Sequence, residues 1–157
     1  MRLEYFQLID RVTDLNLADR TIRTEATVPQ QSTVFEGHFP GYPLMPGVLL
    51  IETMAQTSGW LVVAVNKFER MPFLAAVKDA KFRTFVVPGM VLAVEAKLAH
   101  DGSGYAITNA TISSAGKPIC DATITLRVMP FPNAEMRQHM RDQATHLGVP
   151  SEEPAHG

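Results

Sequence analysis

The chain has 157 residues, of which 46% are hydrophobic and 19% are charged, and its formal net charge is −2. These values predict one globular unit with a good core, and they exclude a disordered chain and the basic composition of nucleic-acid-binding domains. The single cysteine, Cys120, excludes an intrachain disulfide and a cysteine-based metal site. Because it lies in an alternating segment, we expect its thiol to be buried and inert.

The N-terminal part of the chain is expected to contribute one clear strand. Residues 2–17 mix helical and extended features, and Glu4 and Asp10 interrupt any apolar run there, so we expect no secretory signal peptide. Residues 21–28 are rich in threonine and β-branched side chains, which predicts a strand. Residues 33–35 are predicted to be a short extended lead into the next loop.

A stiff loop follows at residues 37–47, with three prolines and three glycines in eleven residues. Each proline restricts its own backbone and disfavours helix in the residue before it, whereas glycine reaches angles that other residues avoid. We therefore expect a defined loop with His38 near its start. Taken alone, His38 is more simply a structural loop histidine than a catalyst.

The next segment, residues 48–65, predicts a helix that runs to about Asn66 or Lys67. Its apolar residues occupy every face, which is typical of a buried helix. The stretch is about long enough to cross a bilayer, but Glu52 and Gln56 would be costly in lipid. We therefore predict a core helix in a soluble, cytoplasmic protein with no membrane insertion. Glu52 by itself is compatible with a buried carboxylate paired with Gln56.

The second half of the chain predicts strands. Pro72 is expected to begin a strand over residues 73–77, and residues 81–87 form a second extended piece. Residues 91–98, 105–113 and 119–129 then alternate apolar and polar side chains with short turns between them, which predicts an antiparallel meander. A helix that is apolar all round must be wrapped by this sheet. One small sheet cannot cover every side of it, so we expect a partner subunit.

The chain beyond residue 130 is expected to be separate from this unit. Asn133 predicts the start of a helix, on which Met136, Met140 and Leu147 lie roughly on one stripe. We therefore divide the chain into a domain of residues 1–130 and an extension of residues 131–157, with a frayed end after residue 150. The extension carries no motif residue, and we expect the chemistry not to depend on it.

The segment GHFPGYPLMPGVLLIETMAQ, residues 37–56, resembles the signature of the (3R)-hydroxyacyl-acyl-carrier-protein dehydratases. A second segment, KFRTFVVPG at residues 81–89, resembles another part of that family, and the likeness extends over residues 5–129. It implies an α+β hot-dog fold, in which an antiparallel sheet wraps around one long central helix. It also implies a homodimer with two shared sites, in some members a trimer of dimers, and an acyl carrier protein as partner.

The resemblance also implies roles for individual residues. His38 corresponds to the catalytic histidine, Glu52 to the catalytic carboxyl group of the other subunit, and Gly47 to the glycine whose backbone N–H binds the thioester oxygen. These roles suit the dehydration of a 3-hydroxyacyl thioester. Neutral histidine can remove a proton, a carboxylic acid in an apolar setting can protonate the leaving hydroxyl, and a helix N-terminus favours an oxyanion.

Three further residues are predicted at this site. Gln56 is expected to orient Glu52, and Phe39 and Val48 are expected to contact the substrate. We expect no metal and no bound cofactor, because the phosphopantetheine group arrives with the acyl-carrier substrate.

The sequence departs from the family pattern in ways that leave alternatives open. Met90 replaces the usual acidic residue after the second Pro-Gly pair, and residues 31–34 differ from the usual lead before the loop. These differences suggest a specialised paralogue, for example one that serves the long acyl chains of lipid A. A hot-dog acyl thioesterase and a non-catalytic hot-dog acyl-binding subunit are the alternatives. The GHFP loop argues against the first, and retention of both His38 and Glu52 argues against the second.

Overall fold

The computed structural model describes residues 1–150, so the predicted frayed end lies outside the described residues. Six strands and three α-helices follow a short 3-10 turn at Leu3–Tyr5 within this part of the chain. The strands are β1 (Arg11–Asn16), β2 (Thr21–Thr27), β3 (Arg70–Phe82), β4 (Val91–Gly102), β5 (Tyr105–Ser114) and β6 (Lys117–Pro130). The helices are α1 (Thr33–Gly37), α2 (Gly47–Val65) and α3 (Ala134–Leu147).

The strands form one antiparallel sheet with the order β1-β2-β4-β5-β6-β3. The predicted meander is confirmed, because β4, β5 and β6 are neighbours joined by short turns. Alternate side chains of these strands, such as Leu92, Val94 and Ala110, are buried, as expected when one face of a sheet packs on a core. Helix α2 packs against β2 to β6. The predicted α+β architecture of a sheet around one long helix is therefore confirmed.

Helix α2 begins at Gly47, with Pro46 as its N-cap, and ends at Val65. By length and composition it could span a membrane, but 72% of that stretch is buried inside the fold. Its buried hydroxyl groups have polar partners. The Thr57 hydroxyl lies 2.8 Å from that of Thr24, and the Ser58 hydroxyl lies 2.6 Å from that of Thr108. These side-chain hydrogen bonds offset the cost of burying polar groups in an apolar core.

Two predicted extended segments differ in the structure. Residues 33–35 belong to α1, because the Ser32 hydroxyl accepts a hydrogen bond from the Val34 N–H at 3.2 Å and so caps a helical turn that buries Phe35. The strand expected at residues 73–77 is part of a longer strand, β3, which contains Pro72 and ends at Phe82. Of the extended piece expected at residues 81–87, only Lys81 and Phe82 belong to β3, and residues 83–87 lie in the loop before β4. Proline is tolerated there because β3 is an edge strand, whose one neighbour among the described strands is β6.

The C-terminal helix starts where the sequence predicts. The Asn133 side chain accepts a hydrogen bond from the Met136 N–H at 2.8 Å, which is N-capping geometry. Its C-terminal half is packed rather than free, because Ala144, Leu147 and Val149 join the core. The division at residue 130 stays a prediction.

The only cysteine is buried in β6. The Cys120 side chain is 1% exposed, and burial raises the pKa of its thiol to about 12. The thiol is therefore neutral at physiological pH and is a poor nucleophile.

Candidate active site

The loop before α2 is held by backbone hydrogen bonds around His38. The His38 N–H donates to the Val34 carbonyl at 3.1 Å, and the His38 carbonyl accepts from the Leu44 N–H at 3.0 Å. Phe39 and Tyr42 exchange two further backbone bonds at 3.0 and 2.9 Å. The loop therefore has the defined conformation that its prolines and glycines predict.

The His38 ring has one nitrogen engaged by this loop. Its Nδ1 lies 2.9 Å from the Leu44 carbonyl oxygen, which can only accept a hydrogen bond. In the neutral ring Nδ1 must therefore carry the proton, and Nε2 carries the free lone pair. This is the tautomer that a general base requires, with the second nitrogen fixing the orientation of the ring.

Gly47 opens α2, and its N–H belongs to the first turn, where amide groups lack helical acceptors. The Pro46 carbonyl accepts hydrogen bonds from the N–H groups of Leu49 and Leu50, further along this turn. The glycine is also closely approached by the end of β3. A Cβ atom added at this position would lie 3.2 Å from the ring of Phe82. The site thus combines N–H groups suited to an oxyanion with limited space for a side chain.

Glu52 lies one turn further along α2 and is held by Gln56. The Gln56 Nε2 donates to Glu52 Oε1 at 3.2 Å and to the Phe6 carbonyl at 2.7 Å. The Leu8 N–H in turn donates to Gln56 Oε1 at 3.4 Å. The Gln56 amide therefore joins the carboxyl group to the N-terminal segment, a contact that fits its predicted role of orienting Glu52.

Glu52 opens onto a cavity of about 850 Å³. One face of α2 lines it, through Glu52, Ala55, Gln56, Gly59 and Trp60, a spacing that follows the helical repeat. The N-terminal segment, β3 and β6 form other walls. The cavity therefore places a carboxyl group and an amide within a lining of mixed polar and apolar side chains.

The remaining predicted site residues lie elsewhere on the chain. No hydrogen bond or ion pair joins His38 to Glu52 among residues 1–150, and His38 does not line the Glu52 cavity. Phe39 is 48% exposed and lines a separate shallow cavity, and Val48 is 71% exposed. A single chain therefore brings Glu52 and Gln56 together and leaves His38, Phe39 and Val48 outside the Glu52 cavity.

One wall of the Glu52 cavity was not expected from the sequence. Helix α3 contributes His139, Met140, Gln143, His146 and Leu147 to its lining. The apolar stripe of Met140 and Leu147 indicates that this face packs against something, but nothing in the stripe indicates which surface it meets. His139 and His146 are exposed, and both border the cavity.

Solved structures with a similar backbone identify the fold. The chain superposes with a TM-score of 0.62 on a hypothetical thioesterase from Streptococcus pneumoniae bound to coenzyme A, at 15% identity over 78% of this chain and 88% of that one. The same score is found for the dehydratase heterocomplex ApeI:P from Xenorhabdus doucetiae, at 16% identity over 86% of this chain and 90% of that one. At such identity these likenesses establish only the fold, which is the hot-dog fold.

The family follows from sequence likeness. Residues 2–123 match the model of the FabA-like domain. The 3-hydroxyacyl-[acyl-carrier-protein] dehydratase FabZ of Clostridium acetobutylicum is 36% identical over 78% of this chain and 86% of its own length. The protein of the same description from Levilactobacillus brevis is 37% identical over 76% of this chain and 81% of its own. The chain belongs to the 3-hydroxyacyl-[acyl-carrier-protein] dehydratase family.

Proposed function

We propose that this protein is a 3-hydroxyacyl-[acyl-carrier-protein] dehydratase that forms trans-2-enoyl thioesters in fatty acid biosynthesis. It is a hydro-lyase, and its acyl group arrives on the phosphopantetheine arm of acyl carrier protein. The likeness to curated dehydratases over most of both chains carries this conclusion. The free Nε2 of His38 supports it, because elimination begins with removal of a proton.

In the proposed mechanism the His38 Nε2 removes a proton from the carbon next to the thioester. The developing charge on the thioester oxygen is stabilised by the Gly47 N–H at the N-terminus of α2. The carboxyl group of Glu52 protonates the hydroxyl on the next carbon, which leaves as water. The products are the trans-2-enoyl thioester and water, and no electrons are transferred. The reaction therefore needs positioned proton donors and acceptors, and we propose that it uses no metal or redox cofactor.

We further propose that the active site is shared between two copies of the chain. The first support is the separation of His38 from the Glu52 cavity in one chain. The second is strand β3, a long sheet edge that pairs, within residues 1–150, only with β6 and exposes Phe73, Leu74 and Val77. An uncovered apolar edge is a ready surface for a second copy. Light scattering is expected to show a dimer or a larger even-numbered assembly, and a folded, active monomer would contradict this proposal.

The protein is proposed to act in the cytoplasm, where acyl carrier protein would supply its substrate. Service to the long acyl chains of lipid A stays a prediction from the departures at Met90 and residues 31–34. In the structure Met90 joins β2 to the loop before β4, since its carbonyl accepts from the Val28 N–H at 2.9 Å. The side chain of Met90 packs against the core.

The activity is tested by incubating the purified protein with 3-hydroxyacyl and trans-2-enoyl thioesters of pantetheine and of acyl carrier protein. Loss of enoyl absorbance on hydration, and its gain on dehydration, is the expected result. Free thiol is measured in the same reactions with a colorimetric reagent. Release of thiol without interconversion would identify a thioesterase, and neither reaction would indicate an acyl-binding subunit.

A further inference from the structure

The Glu52 cavity extends along α2 beyond the carboxyl group. Along α2, Glu52 and Gln56 are followed on the same face by Gly59 and Trp60. Eight residues separate Glu52 from Trp60, which corresponds to roughly 12 Å along the helix axis. The cavity therefore extends from the carboxyl group past the Trp60 side chain, and apolar residues such as Leu74 and Leu126 are part of its lining.

Helix α3 lies near the end of α2 that is distant from Glu52. The Arg137 guanidinium donates to the Glu69 carbonyl at 3.4 Å, and the Arg141 guanidinium lies 5.9 Å from the centre of the Phe68 ring. Phe68 and Glu69 lie three and four residues after Val65, the last residue of α2. Met140 lies between these two arginines in the sequence, and its side chain lines the cavity. Met140 therefore borders the cavity from the side of the C-terminal end of α2.

We infer that α3 forms the wall that limits acyl-chain length in the Glu52 cavity, with Met140 as a specificity-determining residue. This inference rests on the proposed dehydratase function, which supplies an acyl thioester as ligand. It concerns residues beyond the matched family domain, which ends at residue 123. The partly buried Met140 can be enlarged or reduced without removing a fully buried core residue such as Ala144.

The first test compares kcat/KM for crotonyl and trans-2-dodecenoyl thioesters. Met140→Phe should lower the ratio of kcat/KM for the long substrate to that for the short one about ten-fold, and Met140→Ala should raise it. The reason is that one methylene group more or less in an apolar pocket changes this ratio about ten-fold or more. Met136→Phe and Met136→Ala are matched controls. Met136 lies one turn earlier on α3, is also partly buried, and does not line the cavity. Equal loss for both substrates, or equal effects at Met136, would overturn the inference.

The second test does not depend on turnover. Trp60 lines the cavity and is the only tryptophan in the chain, so its fluorescence reports on the cavity directly. Acyl-pantetheine thioesters with bromine at the end of a short or a long chain serve as quenching probes. The long probe should quench Trp60, and Met140→Phe should weaken its binding about ten-fold relative to the short probe. Absence of quenching, or an unchanged ratio, would reject α3 as the limiting wall.

The two tests also separate this inference from the proposed function. A protein without turnover whose Trp60 quenching still depends on Met140 would retain the acyl cavity and lose the assignment as a dehydratase. An active dehydratase whose chain-length ratio ignores Met140 would retain the function and lose the inference.

Discussion

The two halves of the proposed catalytic pair are held by different kinds of contact. His38 is oriented by main-chain atoms, since its Nδ1 donates to the Leu44 carbonyl only six residues away. Glu52 is oriented by a side chain, since its Oε1 accepts from Gln56, whose amide also reaches the Phe6 carbonyl fifty residues away. The first arrangement is built into a stiff local loop, whereas the second depends on the N-terminal segment folding back onto α2.

This difference determines which perturbations each half can withstand. A carbonyl acceptor remains when the Leu44 side chain is replaced, so the orientation of His38 is protected from most single substitutions nearby. The orientation of Glu52 depends on one amide group that a single substitution removes. Replacing His38 or Glu52 should lower kcat/KM strongly. Replacing a supporting side chain should lower it measurably only for Glu52, which Gln56 orients.

The largest effect is expected from His38→Ala. Removal of the general base should lower kcat/KM about 10²- to 10⁴-fold, the usual contribution of a positioned proton-transfer group. Steady-state kinetics with a trans-2-enoyl thioester measures the loss, and circular dichroism checks that the variant is folded. The variant His100→Ala is the control, because His100 is exposed near a turn and lines neither described cavity. Comparable losses in the two variants would remove His38 from the chemistry.

A loss of the same order is expected from Glu52→Gln, which keeps the shape of the side chain and removes the acid. Mixing the two inactive variants then tests whether the halves come from different chains. Random exchange of subunits yields heterodimers in half of the population, each with one intact site and one doubly broken site, so activity should recover to about a quarter of wild type. If mass spectrometry confirms the heterodimer and no activity returns, each site belongs to one chain.

A smaller effect is expected at the oxyanion position. Gly47→Val keeps the backbone N–H but adds a branched side chain where even a Cβ would lie 3.2 Å from the Phe82 ring, so the thioester should be crowded. We expect kcat/KM to fall roughly 10²-fold, at the lower end of the usual effect of losing one oxyanion donor. Gly37→Ala is the control, because a Cβ there meets nothing within 4 Å. Near-normal turnover of a folded Gly47→Val protein would remove Gly47 from the site.

The same contrast explains how much the sequence could predict. The His38 loop, α2 and the β4–β6 meander follow from local patterns of proline, glycine and apolar side chains, and their predicted positions agree with the structure. Residues 33–35 were predicted wrongly because one side-chain cap from Ser32 was enough to start a helical turn. The sequence did not indicate that β3 is continuous to Phe82. Its register with β6 shifts after Lys78, and the strand continues because pairing with β6 resumes at Lys81. The wall that α3 adds to the Glu52 cavity depends on tertiary packing, which no local pattern encodes.

The smallest predicted effect tests the support of Glu52 directly. Gln56→Leu retains a side chain of similar size but removes the donor to Glu52 and to the Phe6 carbonyl, and it removes the acceptor for the Leu8 N–H. A hydrogen bond to a charged or reacting carboxyl group contributes enough that kcat should fall roughly ten-fold. Amide hydrogen exchange in the N-terminal segment should also become faster, because the segment loses its attachment to α2.

The control for this variant is Gln138→Leu, which makes the same chemical change at an exposed position of α3 outside the cavity. It should change neither kcat nor exchange near residue 8. Faster exchange at Leu8 with unchanged kcat would mean that Gln56 holds the N-terminal segment but does not orient the acid. Unchanged exchange with a lower kcat would mean the reverse. A lower kcat together with faster exchange would show that the Gln56 amide both holds the N-terminal segment on α2 and orients Glu52. This dependence distinguishes Glu52 from His38, which is oriented by a backbone carbonyl.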